Sequence, residues 1–336
     1  MNTSLLPEGS RALVTGGTGF TGRRLVDTLL RQGHTVRVLA RPSPRSDELK
    51  RLGCEVVEGQ VYDPETVRRA CRDINYVFHV AAAYREAGIR DEVYAKVHVE
   101  STQLLARAAL GIKGFRRFVH VSTVGVHGHI ENPPANEESP YGTGDLYQST
   151  KLEGELWIRD FAPRNGLSLA VIRPAAIYGP GDRRLLKIFR MVRWPVFPIL
   201  GFGKCLYHLV HVEDLVRGLL LAAVHPRAEQ EVFLCGDRES IPLQEMAGVI
   251  GEAIGRQPRF VRLPATPFFL LGDVCEAICK PLKMEPPIYR RRVAFFTKDR
   301  SFDTSKIRTV LGFENLCPSR EGLTATAKWY RDNGWL

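Results

Sequence analysis

One short stretch restricts the possible folds of this chain more than any other. The apolar run ALVT (12–15) passes directly into Gly16-Gly17-Thr18-Gly19-Phe20-Thr21-Gly22. From Arg23 to Arg31, leucines and a valine recur at helical spacing. Gly33 closes that helix, and HTVRVLA (34–40) returns to strand-like alternation. Strand, glycine turn, helix and second strand open an α/β unit. The three spaced glycines have separate tasks: Gly16 permits a tight turn, Gly19 lets the backbone approach a phosphate, and Gly22 lets helix and strand pack closely. Backbone donors from Thr18 through Thr21, with the positive end of the helix, then face a pyrophosphate.

The rhythm continues through the first half. Residues 54–59, 76–82, 116–122 and 167–174 read as strands, and 64–72, 92–109 and 146–161 as helices. Alternation of this kind predicts an α/β fold: a Rossmann-like, doubly wound parallel sheet, its strands' carboxyl ends gathered on one rim. After Gly179-Pro180-Gly181-Asp182 the pattern weakens. Helices are expected at 183–192, 213–224 and 243–254, and strands at 206–212 and 231–235. Residues 1–180 are therefore assigned predominantly to dinucleotide binding. Residues 181–336 are assigned predominantly to a smaller mixed, substrate-binding cap, some of whose late segments interleave with the sheet.

Composition removes several other classes. The chain has 336 residues, 44% of them hydrophobic and 25% charged, which suits a folded globular protein rather than a disordered one. No window of 18–20 residues is free of charge, against a spanning helix. The seven cysteines form no paired CxxC set, and Cys275 and Cys279 read as two small residues on one helix face. With no secretory leader pattern at the start, a reducing, cytoplasmic setting is expected. The net charge of +10 is diffuse, and Arg290-Arg291-Arg292 is the compact triplet in its densest portion. No nucleic-acid partner is expected, because no base-reading motif accompanies the charge.

The end of the second strand decides the form of the dinucleotide. An acidic residue there would bind the adenosine ribose; the sequence has Leu39-Ala40-Arg41-Pro42. Arg41 offers fixed positive charge to a 2′-phosphate, so NADP is favoured, with NAD admitted by the neutral Ala40. Arg45 and Lys50 either assist or are plain surface charges.

A second constellation carries the chemistry. Tyr147 and Lys151 stand at i and i+4 on one helix face. A phenol titrates near ~10, too high for proton transfer at neutral pH; a lysine and an oxidised nicotinamide favour the phenolate. HVST (120–123) ends a core strand 24 residues before Tyr147 and brings two hydroxyls to the same rim. Thr123 is assigned to the reacting oxygen and Ser122 to a structural or cofactor-facing role. The implied reaction is reversible hydride transfer, with Tyr147 moving the proton and Thr123 stabilising charge on oxygen. No metal is called for: the histidines form no HExxH array, and His208 and His211 read as flanking a core turn.

TGGTGFTG (15–22), HVST (120–123), YQSTK (147–151) and RPAAIYGPGD (173–182) resemble, in order, the landmarks of extended short-chain dehydrogenase/reductases, the NAD-dependent epimerase/dehydratase-like group. That resemblance implies an enzyme, and places Phe20 beside the pyrophosphate turn and Ala81 beside the adenosine. It sets Gln60 and Val61 near adenine, and Pro174 to Ile177 behind nicotinamide. Gln60 replaces a common aspartate, and His98 stands where an asparagine of the proton-relay region is usual, to act as a relay or to fill space. Ala176 and Tyr207 replace an Asn and an Arg common in nucleotide-sugar enzymes. EPPIYRRRVAFFTKDRSFDTSKIRTVLGF (285–313) is similar to the 3β-hydroxysteroid dehydrogenase-like branch, which includes 2-alkyl-3-oxoalkanoate reductases. The expectation is thus an NADP-preferring oxidoreductase acting on a hydrophobic secondary alcohol or ketone, with a homodimer admitted. The alternatives are a nucleotide-sugar epimerase or dehydratase, and a non-catalytic dinucleotide-binding sensor or scaffold. The apolar stretch 263–283 is expected to lie within the cap, walling a pocket, rather than to touch a membrane surface peripherally.

Overall fold

The computed structural model describes residues 5–83, 90–201, 205–279, 284, 293–294, 296–297 and 299–336. The Arg290–Arg292 triplet and most of 285–298 lie outside them. The first half runs β1 (Arg11–Thr15), α1 (Phe20–Arg31), β2 (Thr35–Ala40), α2 (Pro44–Arg51), β3 (Glu55–Glu58), α3 (Pro64–Ala70), β4 (Tyr76–His79), α4 (Asp91–Ala95), α5 (Ser101–Leu110), β5 (Arg117–Val121), α6 (Leu146–Asn165) and β6 (Leu169–Pro174). The second runs β7 (Ala176–Tyr178), α7 (Leu186–Met191), β8 (Phe197–Leu200), β9 (Leu206–Tyr207), β10 (Leu209–His211), α8 (Val212–Val224), β11 (Glu231–Cys235), β12 (Ile241–Pro242), α9 (Leu243–Ala253), β13 (Phe260–Leu263), α10 (Thr266–Cys279), α11 (Ser305–Leu311) and α12 (Ser319–Asp332).

Seven parallel strands form the main sheet in the order β11-β6-β5-β4-β1-β2-β3. The chain winds outward from β1 to β3, then returns to β4 on the other side. Strand order therefore reverses between β1 and β4, where a doubly wound sheet opens a crevice for ligand. Strand alternation sends Ala12 and Val14 to one face and Leu13 to the other. The first face packs on Leu25 and Leu29 of α1 and Leu215 and Leu219 of α8. The second packs on Val67, Leu105 and Ile158 of α3, α5 and α6. A separate cap core gathers Phe189, Met246 and Tyr330 from α7, α9 and α12.

Three local features depart from the periodicity. Helix α2 is unannounced because only Ser46 and Leu49 of its eight residues are buried; Pro44 and a Ser43–Ser46 capping box start it instead. The helix expected over 92–109 contains a π turn at Lys96–Glu100, which carries His98. The strand expected over 206–212 breaks at His208. Leu206–Tyr207 pairs antiparallel with β12, and Leu209–His211 pairs parallel with β7. The His208 ring fills the break, donating from Nε2 to the Asp237 carbonyl (2.7 Å) and accepting at Nδ1 from the Phe302 amide (3.2 Å).

Candidate active site at the sheet switch point

The glycine turn lies between the carboxyl ends of β1 and β4. Gly16 has φ +73°, and a Cβ there would stand 2.9 Å from the Ala81 backbone, so only glycine brings the turn this close to β4. A Cβ on Gly22 would fall 2.2 Å from the Gly16 carbonyl oxygen. Gly19 is the N-cap of α1, with no side chain over the first amides and no acidic residue in the first turn. Those amides are left to an outside acceptor. Thr15 ties the two strand ends: its hydroxyl meets His79 Nδ1 (2.8 Å) and accepts from the Ala81 amide (3.2 Å). This cradle of close-packed backbone and uncapped amides fits a dinucleotide pyrophosphate.

The other predicted contacts follow along the same rim. Thr18 and Phe20 are half-buried; Thr18 offers its carbonyl to Arg45 (3.4 Å), and the Arg184 guanidinium lies 5.8 Å over the Phe20 ring. Arg41 and Gln60 are exposed just beyond β2 and β3, and Val61 is half-buried beside them. Pro174 ends β6 opposite Cys235, and Ile177 sits in β7 with its carbonyl accepting from Arg184 (3.2 Å).

The predicted chemical residues lie just beyond the end of β5 and in the first turns of α6. Asp145 caps α6 by accepting from the Gln148 amide (2.9 Å). One turn into the helix, Lys151 is buried and donates to the carbonyl of Val121, immediately before Ser122 and Thr123. Burial pushes the Lys151 ammonium down to about 8, against the opposing pull of Glu155. Thr123 Oγ1 accepts from the Gly125 amide (3.0 Å), which leaves its hydroxyl proton to donate elsewhere; Thr123 is half-buried while Ser122 is buried. Tyr147 is half-buried, its ring edge-to-face with His98 at 5.3 Å.

The π turn gives His98 a fixed place. The Ala83 amide donates to Nε2 (3.0 Å), so the ring proton is on Nδ1, donating to Thr150 Oγ1 (2.8 Å). That hydroxyl donates in turn to the Leu146 carbonyl (2.7 Å). Burial, with the charge of Lys151 nearby, pushes the imidazole down to about 2. A neutral ring with both nitrogens engaged is a brace between the β4 exit and α6, and it has no proton free for a relay.

A buried charge cluster behind the site is absent from the sequence-based expectations. Arg173 and Glu155 are both fully buried and joined through Nε (3.1 and 3.2 Å) and Nη2. Arg173 also donates to His127 Nε2, the Glu137 carbonyl and the Tyr141 hydroxyl, each at 3.0 Å. Burial works against the Glu155 carboxylate, but the Arg173 hydrogen bonds hold it below its usual range. Glu155 stands one turn beyond Lys151 on α6, so this pair fixes the helix that carries Tyr147 and Lys151. The spacing 147, 151, 155 is the signal that could have found it.

Comparison with known proteins bears on this arrangement. Residues 12–236 match the NAD dependent epimerase/dehydratase family. The chain belongs to that family. Its fold and membership make it an NAD(P)-dependent oxidoreductase or epimerase/dehydratase enzyme, which sets aside the sensor or scaffold alternative. The 3 beta-hydroxysteroid dehydrogenase/Delta 5-->4-isomerase of Mycobacterium tuberculosis is 30% identical, over 98% of this chain and 92% of its own. The UDP-glucose 4-epimerase of Thermotoga maritima, solved with UDP-glucose, is 25% identical and superposes with TM-score 0.75 over 96% of this chain and 99% of its own. The dTDP-glucose 4,6-dehydratase of Streptomyces venezuelae, solved with NAD, is 25% identical with TM-score 0.74 over 97% and 98%.

Two expectations are corrected. The NADP preference is withdrawn: NAD is the dinucleotide held by the Streptomyces dehydratase and by other solved structures of this fold. The charges expected to favour a 2′-phosphate are dispersed: Lys50 is paired with Asp47 (3.2 Å) and Glu58 (2.5 Å), Arg45 is turned to Thr18, and Arg41 is exposed. The hydrophobic alcohol or ketone is also withdrawn, since the solved structures that superpose on this chain include the UDP-glucose 4-epimerase and the dTDP-glucose 4,6-dehydratase. The stretch 263–283, expected to lie within the cap, is described as far as Cys279, and its last four residues lie outside the described ones. Only Gly272 of α10 is buried.

Proposed function

We propose that this chain is an NAD-dependent enzyme that transiently oxidises a secondary hydroxyl of a nucleotide-linked sugar, as an epimerase or dehydratase does. The observation that carries this reading is the superposition on the UDP-glucose 4-epimerase over 96% of this chain; it is supported by the bond from Lys151 to the Val121 carbonyl, which ties the helix of Tyr147 to the strand end that leads to Thr123. NAD, when bound, supplies the hydride acceptor and later returns the hydride. Gly16, Thr18, Gly19, Phe20, Thr21 and Gly22 hold its pyrophosphate, Gln60, Val61 and Ala81 its adenosine end, and Pro174 to Ile177 its nicotinamide end. Tyr147 takes the proton of the substrate hydroxyl and gives one back on return. Thr123 donates to the reacting oxygen. Lys151 supplies the positive charge that favours the phenolate.

Ala176 and Tyr207 remove two polar contacts expected for such a substrate. A guanidinium is nonetheless present at the second position: Arg300 pairs with Tyr207 along the backbone and lies 5.9 Å over its ring. This restores, from another segment, a charge suited to a diphosphate. Nearness to the 3β-hydroxysteroid dehydrogenase-like branch is proposed as descent only, supported by the Mycobacterium relative. Residues 1–180 are proposed as the dinucleotide half and 181–336 as the substrate half, which lends β11 to the sheet. The seven free thiols support a cytoplasmic setting.

The deciding experiment incubates the protein with NAD and either UDP-glucose or dTDP-glucose. The expected result is an isomerised or dehydrated sugar with no net accumulation of reduced dinucleotide, lost in Tyr147→Phe. Stoichiometric NADH with an unaltered ring configuration, or turnover that survives Tyr147→Phe, contradicts the reading.

A further inference from the structure

Helix α10 turns its apolar side to solvent. Leu270, Val274 and Ile278 recur at i, i+4 and i+8 and are 63%, 54% and 58% exposed, with Leu271 beside them at 46%. The opposite side, Phe268, Gly272, Cys275 and Cys279, is the half-buried and buried one. Asp273 borders the outward face, and Glu276 lies on the half-buried side. An amphipathic helix resting on a protein core shows the reverse arrangement.

The strand that feeds α10 extends the same character. β13 pairs in parallel with β8, and this small sheet leaves Val261 and the preceding Val196 exposed. Trp194, just before β8, is 55% exposed. Along the segments that carry these groups, Arg193 beside Trp194, Arg256 and Arg259 ahead of β13, and Arg262 within it are exposed. An apolar helix face preceded by a strand pair that exposes arginines, valines and an indole complements the acyl boundary and headgroups of an anionic bilayer. A second copy of the chain is a poorer match, because pairing this face with itself brings two sets of the same arginines together. With 14 residues the helix is too short to span, and among the described residues no helix is long and apolar enough to cross a membrane.

We propose that α10 and the β8–β13 edge form a peripheral docking surface for anionic phospholipid, with the helix lying flat in the interface. This inference is independent of the active-site reading. The test is flotation of the full chain with vesicles of phosphatidylcholine alone and of phosphatidylcholine mixed with phosphatidylglycerol. Binding to the mixed vesicles, weakened by salt, is expected. Leu270→Glu with Val274→Glu should reduce it by about tenfold or more, as loss of the buried apolar face demands, while NAD binding stays unchanged. Arg256→Glu with Arg259→Glu provides a second variant that leaves the helix intact and should also lose binding. Absence of binding by the wild type, equal binding to both vesicle types, or variants that float like wild type overturns the proposal. So does a concentration-dependent dimer, seen by sedimentation velocity, that Leu270→Glu with Val274→Glu abolishes.

Discussion

The base of the active site and the outer edge of the cap treat polarity in opposite ways. Behind Tyr147, α6 buries Lys151 and Glu155 completely and answers them with Arg173 and a main-chain carbonyl. On α10, leucine, valine and isoleucine face water, and glycine is the residue packed inside. Both arrangements cost stability relative to an ordinary helix. In the first, the cost holds a lysine and a tyrosine in register with β5, where a misplacement of about 1 Å lowers rate steeply. In the second, the described residues leave the apolar face exposed, and the proposed lipid surface is what covers it. Helix α6 is arranged for precision within the molecule, and α10 for contact beyond it.

The sharpest way to break the contrast is to unbalance the buried charges. Arg173→Met leaves Glu155 ionised, with the partly exposed Arg159 (3.4 Å) as its remaining ion pair among the described residues and Lys151 one turn away. A loss of about 3–5 kcal/mol in urea unfolding is expected, the range for removing one partner of a buried pair. Arg173→Met with Glu155→Leu should recover part of that loss. Recovery stays incomplete because the Glu137 carbonyl and the Tyr141 hydroxyl have also lost a donor. If Arg173→Met alone unfolds like wild type, the cluster is not what anchors α6.

Lys151 tests the same buried region through pH. Its folded-state value of about 8 lies below the usual 10.5. Between those values the unfolded chain holds a proton that the folded chain has released, so stability rises with pH across the window. Below about 8 both states carry the proton and the penalty of burying the charge is present in full. Lys151→Met should therefore be more stable than wild type at neutral pH, by on the order of 3 kcal/mol from the shift, less about 1 kcal/mol for the lost bond to Val121. The difference between the two proteins should shrink as pH rises from about 8 toward 10.5, while turnover is depressed throughout. A constant difference across that range would place the lysine charge in solvent.

Where local chemistry dictates geometry, the sequence is legible. The glycine turn could be located because Gly16 and Gly22 occupy sites a Cβ cannot share, and the sheet because long apolar runs alternate with amphipathic helices. Thr123, Tyr147 and Lys151 stand out only in combination, a hydroxyl at a strand end followed by a tyrosine and lysine one helical turn apart, because the tyrosine–lysine spacing alone reads equally as an exposed pair. Three things do not stand out. Helix α2 is held by a cap, with too few apolar residues to show a period. Arg173 belongs to a strand and answers Glu155 across 18 positions, a relation that local pattern does not contain. The apolar stretch at α10 reads as internal because it is interrupted and too polar to span a membrane, but exposure depends on what packs against it, and its period does not reveal which side faces the protein.

His98 yields the smallest effect and separates brace from relay. Its imidazole spans the gap between the Ala83 amide and the Thr150 hydroxyl, a distance the shorter asparagine side chain does not cover from both ends. His98→Asn should leave one of these two buried groups unsatisfied, at about 1–2 kcal/mol, and loosen the edge-to-face contact with Tyr147. A brace makes a distinct prediction for kinetics. Turnover should fall several-fold with the pH–rate profile keeping its shape, because the ring stays neutral through the working range and contributes no titration of its own. A relay would instead move the profile, and His98→Asn would shift its limbs rather than scale its height. Measuring kcat against pH for both proteins decides the matter: a displaced profile would overturn the tautomer assignment and return His98 to the proton path.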